Sequence, residues 1–63
     1  MNNYYPLVSI IILNLNRKKD LVKCLNSIQT QVYKNYEIIL IDNASNDGSV
    51  EEVLKLFQDI RIF

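Results

Sequence analysis

The sequence predicts an α/β protein of βαβαβ order built on a parallel sheet, and three observations lead there. Two aliphatic runs, Leu7 to Leu13 broken only by Ser9, and Ile38 to Ile41, show no polar alternation, which is the pattern of strands covered on both faces in a parallel sheet. Between them apolar residues recur at three- and four-residue steps, as in an amphipathic helix. Each run then passes into an amide- or acid-rich turn, Asn14-Leu15-Asn16 after the first and Asp42 to Gly48 after the second. Polar side chains thereby collect at the carboxyl edge of the sheet, where open α/β folds bind ligands.

The elements follow in order. After Pro6 the first strand is expected over about residues 7–13, with Asn14-Leu15-Asn16 as the loop beyond it. A helix over about 18–31 turns Leu21, Leu25, Ile28 and Val32 inward and Lys19, Lys23, Asn26 and Gln29 outward. Cys24 lies between Leu21 and Ile28 and is expected as a small buried hydrophobe. Arg17-Lys18-Lys19 reads as a solvated helix start; because cations are disfavoured at that end of a helix, a phosphate-binding role stays open. The stretch from Tyr33 ends the helix, and a second strand covers about 36–41. Ser49 and Glu52 have the spacing of a capping box for a second helix over about 49–58, with Val50, Val53, Leu54 and Phe57 as its buried stripe. Asp59 turns the chain into a third strand over 60–63. The βαβ unit is expected to be a right-handed crossover, and the third strand is expected beside the second, in order 3-2-1.

At 63 residues the chain is near the lower limit for an autonomous core: a domain of this size buries about 60% of its unfolded surface, and such cores supply roughly 3–5 kcal/mol. The lone Cys24 and the lack of histidine leave neither an internal disulfide nor the usual zinc spacings, and favour a reducing, cytoplasmic setting. Seven basic and seven acidic residues cancel without long runs, so no footprint for nucleic acid appears. The apolar run Leu7 to Leu13 is too short for a transmembrane segment. The small core and a last strand still in progress at Phe63 predict a fragment of a longer domain. The alternative is a small non-catalytic α/β interaction module, self-associating as a homodimer through the uncovered edge of the first strand.

Two phosphate-handling motifs are excluded. A dinucleotide fingerprint needs three glycines in the first turn, whereas Gly48 is the single glycine and follows the second strand; a Gly-Lys-Ser or Gly-Lys-Thr loop is also missing. A receiver-type acidic pair at the end of the first strand is ruled out by Leu13 and Asn14. What remains is the polar cluster Asn14, Asn16, Arg17, Asp42, Asn43, Ser45, Asn46 and Asp47. Asn43 offers both a donor and an acceptor, which suits the alternating edge of a pyrimidine. The same composition also describes a plain turn rich in Asx-type bonds.

The stretch VSIIILNLNRKKDLVKCLNSIQTQVYKNYEIILIDNASNDGSVEEV, Val8 to Val53, resembles the opening of family 2 glycosyltransferases of the GT-A fold, rhamnosyltransferase-like bacterial members included. The likeness is carried in order by VSIII and its N-x-N turn, the helix L-x-x-C-L-x-S-I, Gln31 with Tyr33, and EIILIDNASNDGS.

The resemblance implies that residues 1–63 are the amino-terminal, nucleotide-binding portion of a three-layer, Rossmann-like GT-A domain. Its partner would be a nucleoside-diphosphate sugar of UDP or TDP type. The implied nucleotide-binding residues are Leu13, Asn14, Leu15, Arg17, Asp42, Asn43 and Ser45, with Asn43 at the position that meets the pyrimidine. Relatives often carry Thr or Pro at the place of Leu13 and a base-stacking aromatic at that of Leu15, so apolar contact replaces stacking here. Asn43 in place of a carboxylate predicts weaker discrimination between bases. The family's D-x-D metal motif and its carboxylate base have no counterpart between Met1 and Phe63. No catalytic or metal-binding residue is therefore expected in this chain. The divalent cation, Mg or Mn, and sugar transfer itself would belong to the full-length enzyme, cytoplasmic or peripheral at the inner membrane face.

Overall fold

The computed structural model describes residues 6–63. It contains β1 (Val8–Asn14), α1 (Lys18–Thr30), β2 (Tyr36–Asp42), α2 (Ser49–Leu56) and β3 (Ile60–Ile62). The sheet is parallel throughout in the order β1-β2-β3, the expected 3-2-1 read from the other edge. Pairing of β1 with β2 runs from Val8↔Tyr36 to Asn14↔Asp42, and Ile38 lies beside Ile60. Phe63 extends the ladder: its N–H donates to the Leu40 carbonyl and its carbonyl accepts from the Asp42 N–H, both at 2.9 Å.

Strand alternation sorts side chains between two faces. Ile38 and Leu40 of β2 meet Leu21 and Leu25 of α1 and Val53 and Phe57 of α2 in a single buried cluster. Ile12, Val22, Ile28, Tyr36, Ile60 and Ile62 pack around it. Both helices thus cover one face of the sheet, and β2, as the central strand, is its most buried member. Full burial of each such side chain contributes about 1.5–3 kcal/mol.

The opposite face departs from expectation. The aliphatic runs predict cover on both sides, and the family resemblance implies a three-layer domain; among the described residues nothing lies over Ile11 or Leu13, the latter 76% exposed. The described residues supply the sheet and one helical layer of that architecture. The open face carries a polar row where Ser9 Oγ donates to Glu37 Oε2 at 2.6 Å and the Arg61 guanidinium approaches Glu37 at 3.9 Å.

Four local expectations are also corrected. Cys24 is exposed, because the buried stripe of α1 runs through Leu21 and Leu25 with Val22 on its flank toward α2; Cys24 falls on the other flank, beside the edge strand β1. Val32 is 95% exposed, since α1 stops at Thr30 and helical spacing ceases to govern it. Leu54 is 66% exposed, leaving Val53 and Phe57 to anchor α2, with Val50 half-buried. The Ser49–Glu52 capping box does not form: Gly48 is the N-cap at φ 83°, a left-handed geometry suited to glycine. Ser49 is already inside the helix, where the Glu52 N–H donates to the Gly48 carbonyl at 3.0 Å.

Leu40, on the central strand, is with Leu25 fully buried, both with 0% of their surface exposed. Replacing Leu40 with Ala should cost about 2–5 kcal/mol, enough to abolish cooperative urea unfolding in so small a core. Leu54→Ala on the exposed side of α2 should stay within about 0.5 kcal/mol of the parent.

Candidate functional site at the carboxyl ends of the strands

Because β1 and β2 are parallel and in register to their last residues, Asn14 and Asp42 end side by side. Both point toward the helices, and Asn14 is buried as the final residue of β1, where the sequence suggests a loop. Its Nδ2 donates to Asp42 Oδ1 at 2.8 Å and to Ser45 Oγ at 3.1 Å. The Ser45 hydroxyl donates to Asp42 Oδ1 at 2.7 Å and the Ser45 N–H to Asp42 Oδ2 at 2.9 Å. These bonds, those from Ser45 first and then that from Asn14, hold the Asp42 carboxyl below its usual pKa.

The loops beyond the strands are tied together as well. The Asn16 N–H donates to Ser45 Oγ at 2.9 Å, the Asn46 N–H to Asn16 Oδ1 at 2.8 Å, and the Asn43 N–H to the Asn14 carbonyl at 2.9 Å. Asp47 joins the starts of both helices. Its Oδ2 accepts from the Lys18 N–H at 3.0 Å; its Oδ1 accepts from the Ser49 N–H at 2.9 Å and from the Ser49 hydroxyl. One carboxylate thus serves orphan amides at the two N-termini. The Ser49 hydroxyl above all keeps the Asp47 carboxyl below the usual range. This anion also offsets the unfavourable lysines at the start of α1. Lys18 and Lys19 are exposed, as a solvated helix start requires, and Lys18 Nζ lies near Gly48, 3.6 Å from where a Cβ would stand.

Residues of the other parity face the open side. Leu13, Leu15, Ile41 and Asn43, with Arg17, line an open groove of about 460 Å³ whose floor reaches Asn14 and Asp42. That volume lies within the usual range for small-molecule sites, about 300–1,000 Å³. Six of the seven residues singled out in the sequence border this groove; Ser45 lies outside it. Ile41 was not singled out, although its parity, odd beside buried Leu40, was available as the signal. Asn16 and Asp47 likewise emerge as organisers through bonds that spacing alone does not reveal. Asn43 is exposed, and its carboxamide is left without a partner among the described residues. Arg17 approaches Asp20 at 3.8 Å, with both side chains largely in solvent.

Asp42 is the one carboxylate lining the groove. Among the described residues no three His, Cys, Asp or Glu side chains gather into a ligand set, and the Asp42 and Asp47 oxygens are taken by the bonds above.

Residues 9–63 match the family model described as Glycosyl transferase family 2. Among curated proteins, the chain is 40% identical over 53 residues to "Glycosyltransferase AglE" of Haloferax volcanii, covering 81% of this chain and 17% of that protein. It is 44% identical over 48 residues to "Putative glycosyltransferase EpsE" of Bacillus subtilis, covering 76% and 17%. It is 42% identical over 65 residues to "Uncharacterized glycosyltransferase RC0461" of Rickettsia conorii, covering 100% and 11%. The chain therefore spans less than a fifth of the length of each of these relatives.

The two lowered carboxyls set a pH dependence. Each favours the ionised form in the folded state, so its contribution is complete above the ordinary carboxylate pKa of about 3.9 and is lost as pH falls through the lower folded value. Urea midpoints should hold steady above about pH 5 and drop progressively below about pH 4. Asp47→Asn should lower the midpoint at neutral pH and make the acid decline shallower, and an unchanged decline would remove Asp47 from this role.

Proposed function

The chain belongs to glycosyl transferase family 2, and on that premise we propose that the groove beyond β1 and β2 binds the nucleoside end of a nucleoside-diphosphate sugar of UDP or TDP type, rhamnosyl donors included. The observation that carries this reading is the groove itself: apolar walls from Leu13, Leu15 and Ile41 beside the free carboxamide of Asn43. An apolar slot with a few convergent polar groups is the usual form of a small-ligand site. Leu13 and Leu15 would contact the base through aliphatic surface in place of an aromatic stack. Asn43 Oδ1 would accept the imide N–H while Nδ2 donates to the neighbouring carbonyl. Arg17, at the mouth, supplies a cation toward the phosphates.

In this reading residues 1–63 form the amino-terminal part of a longer GT-A domain. The reaction joins an acceptor hydroxyl oxygen to the anomeric carbon and breaks that carbon's bond to the diphosphate. The base that takes the hydroxyl proton lies outside this chain, as do the ligands of any Mg or Mn ion, whose chemistry would be to neutralise the departing phosphates. No helix among the described residues is long and apolar enough to cross a membrane. The reading places the protein in the cytoplasm, with the longer enzyme at the inner membrane face when its acceptor is there; the exposed unpaired thiol of Cys24 suits a reducing compartment.

A second reading, a self-associating module, is favoured by the open sheet face and by the edge position of β1, since uncovered strands recruit other strands. Sedimentation across a hundredfold range of concentration should give a constant monomer mass under the first reading. A dimer dissociating on dilution would support the second.

Titration of isotopically labelled chain with UDP and TDP should shift amides at Leu13 to Arg17 and Ile41 to Asn43, and no shift at millimolar nucleotide would sink the binding role. The base contact has a sharper test. A carboxamide can be turned to match either uracil or cytosine, whereas a carboxylate repels the unprotonated N3 of cytosine. Asn43→Asp should therefore change near-equal binding of UDP and CDP into a preference for UDP of about tenfold or more.

A further inference from the structure

The two walls of the groove come from different loops, residues 15–17 after β1 and 43–48 after β2. Besides the Asn43 N–H bond to the Asn14 carbonyl and the Asp47 carboxylate that accepts from the Lys18 N–H, the loops are joined above the strands through the Ser45 hydroxyl and the Asn16 side chain. Ser45 Oγ donates to Asp42 Oδ1 at 2.7 Å and accepts from Asn14 Nδ2 at 3.1 Å and the Asn16 N–H at 2.9 Å. A serine hydroxyl has one proton and two lone pairs, so this one is fully used within the protein. Asn16 returns the tie through its own Oδ1, which accepts from the Asn46 N–H at 2.8 Å.

The latch also spans two turns of left-handed backbone. Asn16 at φ 50° and Ala44 at φ 56° are both left-handed, a geometry that costs an L-residue roughly 1–2 kcal/mol and persists where surrounding bonds over-determine it. Each is adjacent to a wall residue: Asn16 follows Leu15, and Ala44 follows Asn43. Releasing either turn would swing its wall.

We propose that Ser45 and Asn16 form a latch that sets the width of the groove, acting as positioning residues for the nucleotide while touching none of it. Asn14 and Asp42 support the latch from below, the Asn14 Nδ2 and both Asp42 oxygens being bonded to Ser45 or to each other. The affinity consequence rests on the nucleotide-binding reading given above; the coupling between loops does not. Of the residues implied as nucleotide-binding, this leaves Leu13, Leu15, Arg17 and Asn43 as the contacts.

The test uses the 63-residue chain and the variants Ser45→Ala and Ser45→Thr. Without ligand, Ser45→Ala should move the amide resonances of Leu15, Asn16 and Asn43 and speed hydrogen exchange at Asn16, while Leu25 and Val53 in the core keep their shifts; Ser45→Thr, which retains the hydroxyl, should restore the parent pattern. Undisturbed resonances at Leu15 and Asn43 in Ser45→Ala would overturn the latch, whether or not nucleotide binds. With UDP, Ser45→Ala should weaken binding about tenfold and Ser45→Thr should recover it to within about threefold.

A double-mutant cycle separates positioning from contact. If Ser45 acts through Asn43, the Ser45→Ala loss should largely disappear in an Asn43→Ala background, and the uridine nucleoside should lose as much affinity as UDP. Additive losses, or a loss confined to UDP, would make Ser45 a direct ligand contact and refute the proposal. Failure of the parent chain to bind UDP would overturn the nucleotide reading, and the ligand-free measurements would still decide the latch.

Discussion

The constraint on which this structure depends is the parallel, in-register pairing of β1 with β2, which brings their last residues, Asn14 and Asp42, side by side. Antiparallel strands would send the two loops to opposite ends of the sheet. Parallel strands oblige both loops, and the start of the helix after each, to share one edge. Asp47 exploits that proximity: a single carboxylate reaches the first amide of α1 and the first amide of α2. The site is thus assembled from residues about thirty positions apart, as the separations of Asn14 from Ser45 and Asn16 from Asn46 record.

The second governing fact is that two right-handed crossovers advancing in one direction place both helices on the same side of the sheet. The apolar content of the chain, 49% of its residues, is therefore divided. One share forms the core around Leu25, Leu40 and Val53. The other lies on the open face with Ile11, Leu13 and Phe63. Burial on one face alone leaves stability to few contacts, which gives the polar ties at the sheet edge more weight than they would have in a larger protein.

Much of this was legible in the sequence, and the reasons are local. Aliphatic runs without polar alternation identified parallel strands, and the change from a run to a three-four spacing identified α1. The expected place of the third strand beside the second is where the pairing of β2 with β3 puts it. What spacing could not reveal was which side of each element would find a neighbour. Cys24 and Leu54 occupy plausible apolar positions on their helices, but among the described residues nothing covers the edge beside Cys24 and no helix lies beyond Leu54. Val32 continued a helical period past the residue where the helix stops. The Ser49 signal was displaced by two residues because a more effective acceptor, Asp47, precedes Gly48 and its carboxylate is not confined to one helix. At the site, the sequence marked a polar cluster without separating residues that hold the protein together from those left for a ligand.

That separation follows from parity. Side chains alternate along a strand, so Asn14 and Asp42 turn toward the helices while Leu13, Ile41 and Asn43 turn to the open side. Toward the helices an unpaired carboxylate or amide would be costly, and Asn14, Asp42 and Ser45 answer that cost by bonding one another. On the open side solvent satisfies the Asn43 carboxamide, which is therefore free to exchange water for a ligand at little loss. The groove and the uncovered apolar face are also continuous through Leu13 and Ile41. A segment packed on that face would come up beside the groove, so its position and the shape of the groove would be coupled by geometry. The helix side of the groove is the side on which Asn14, Asp42 and Ser45 already bond one another.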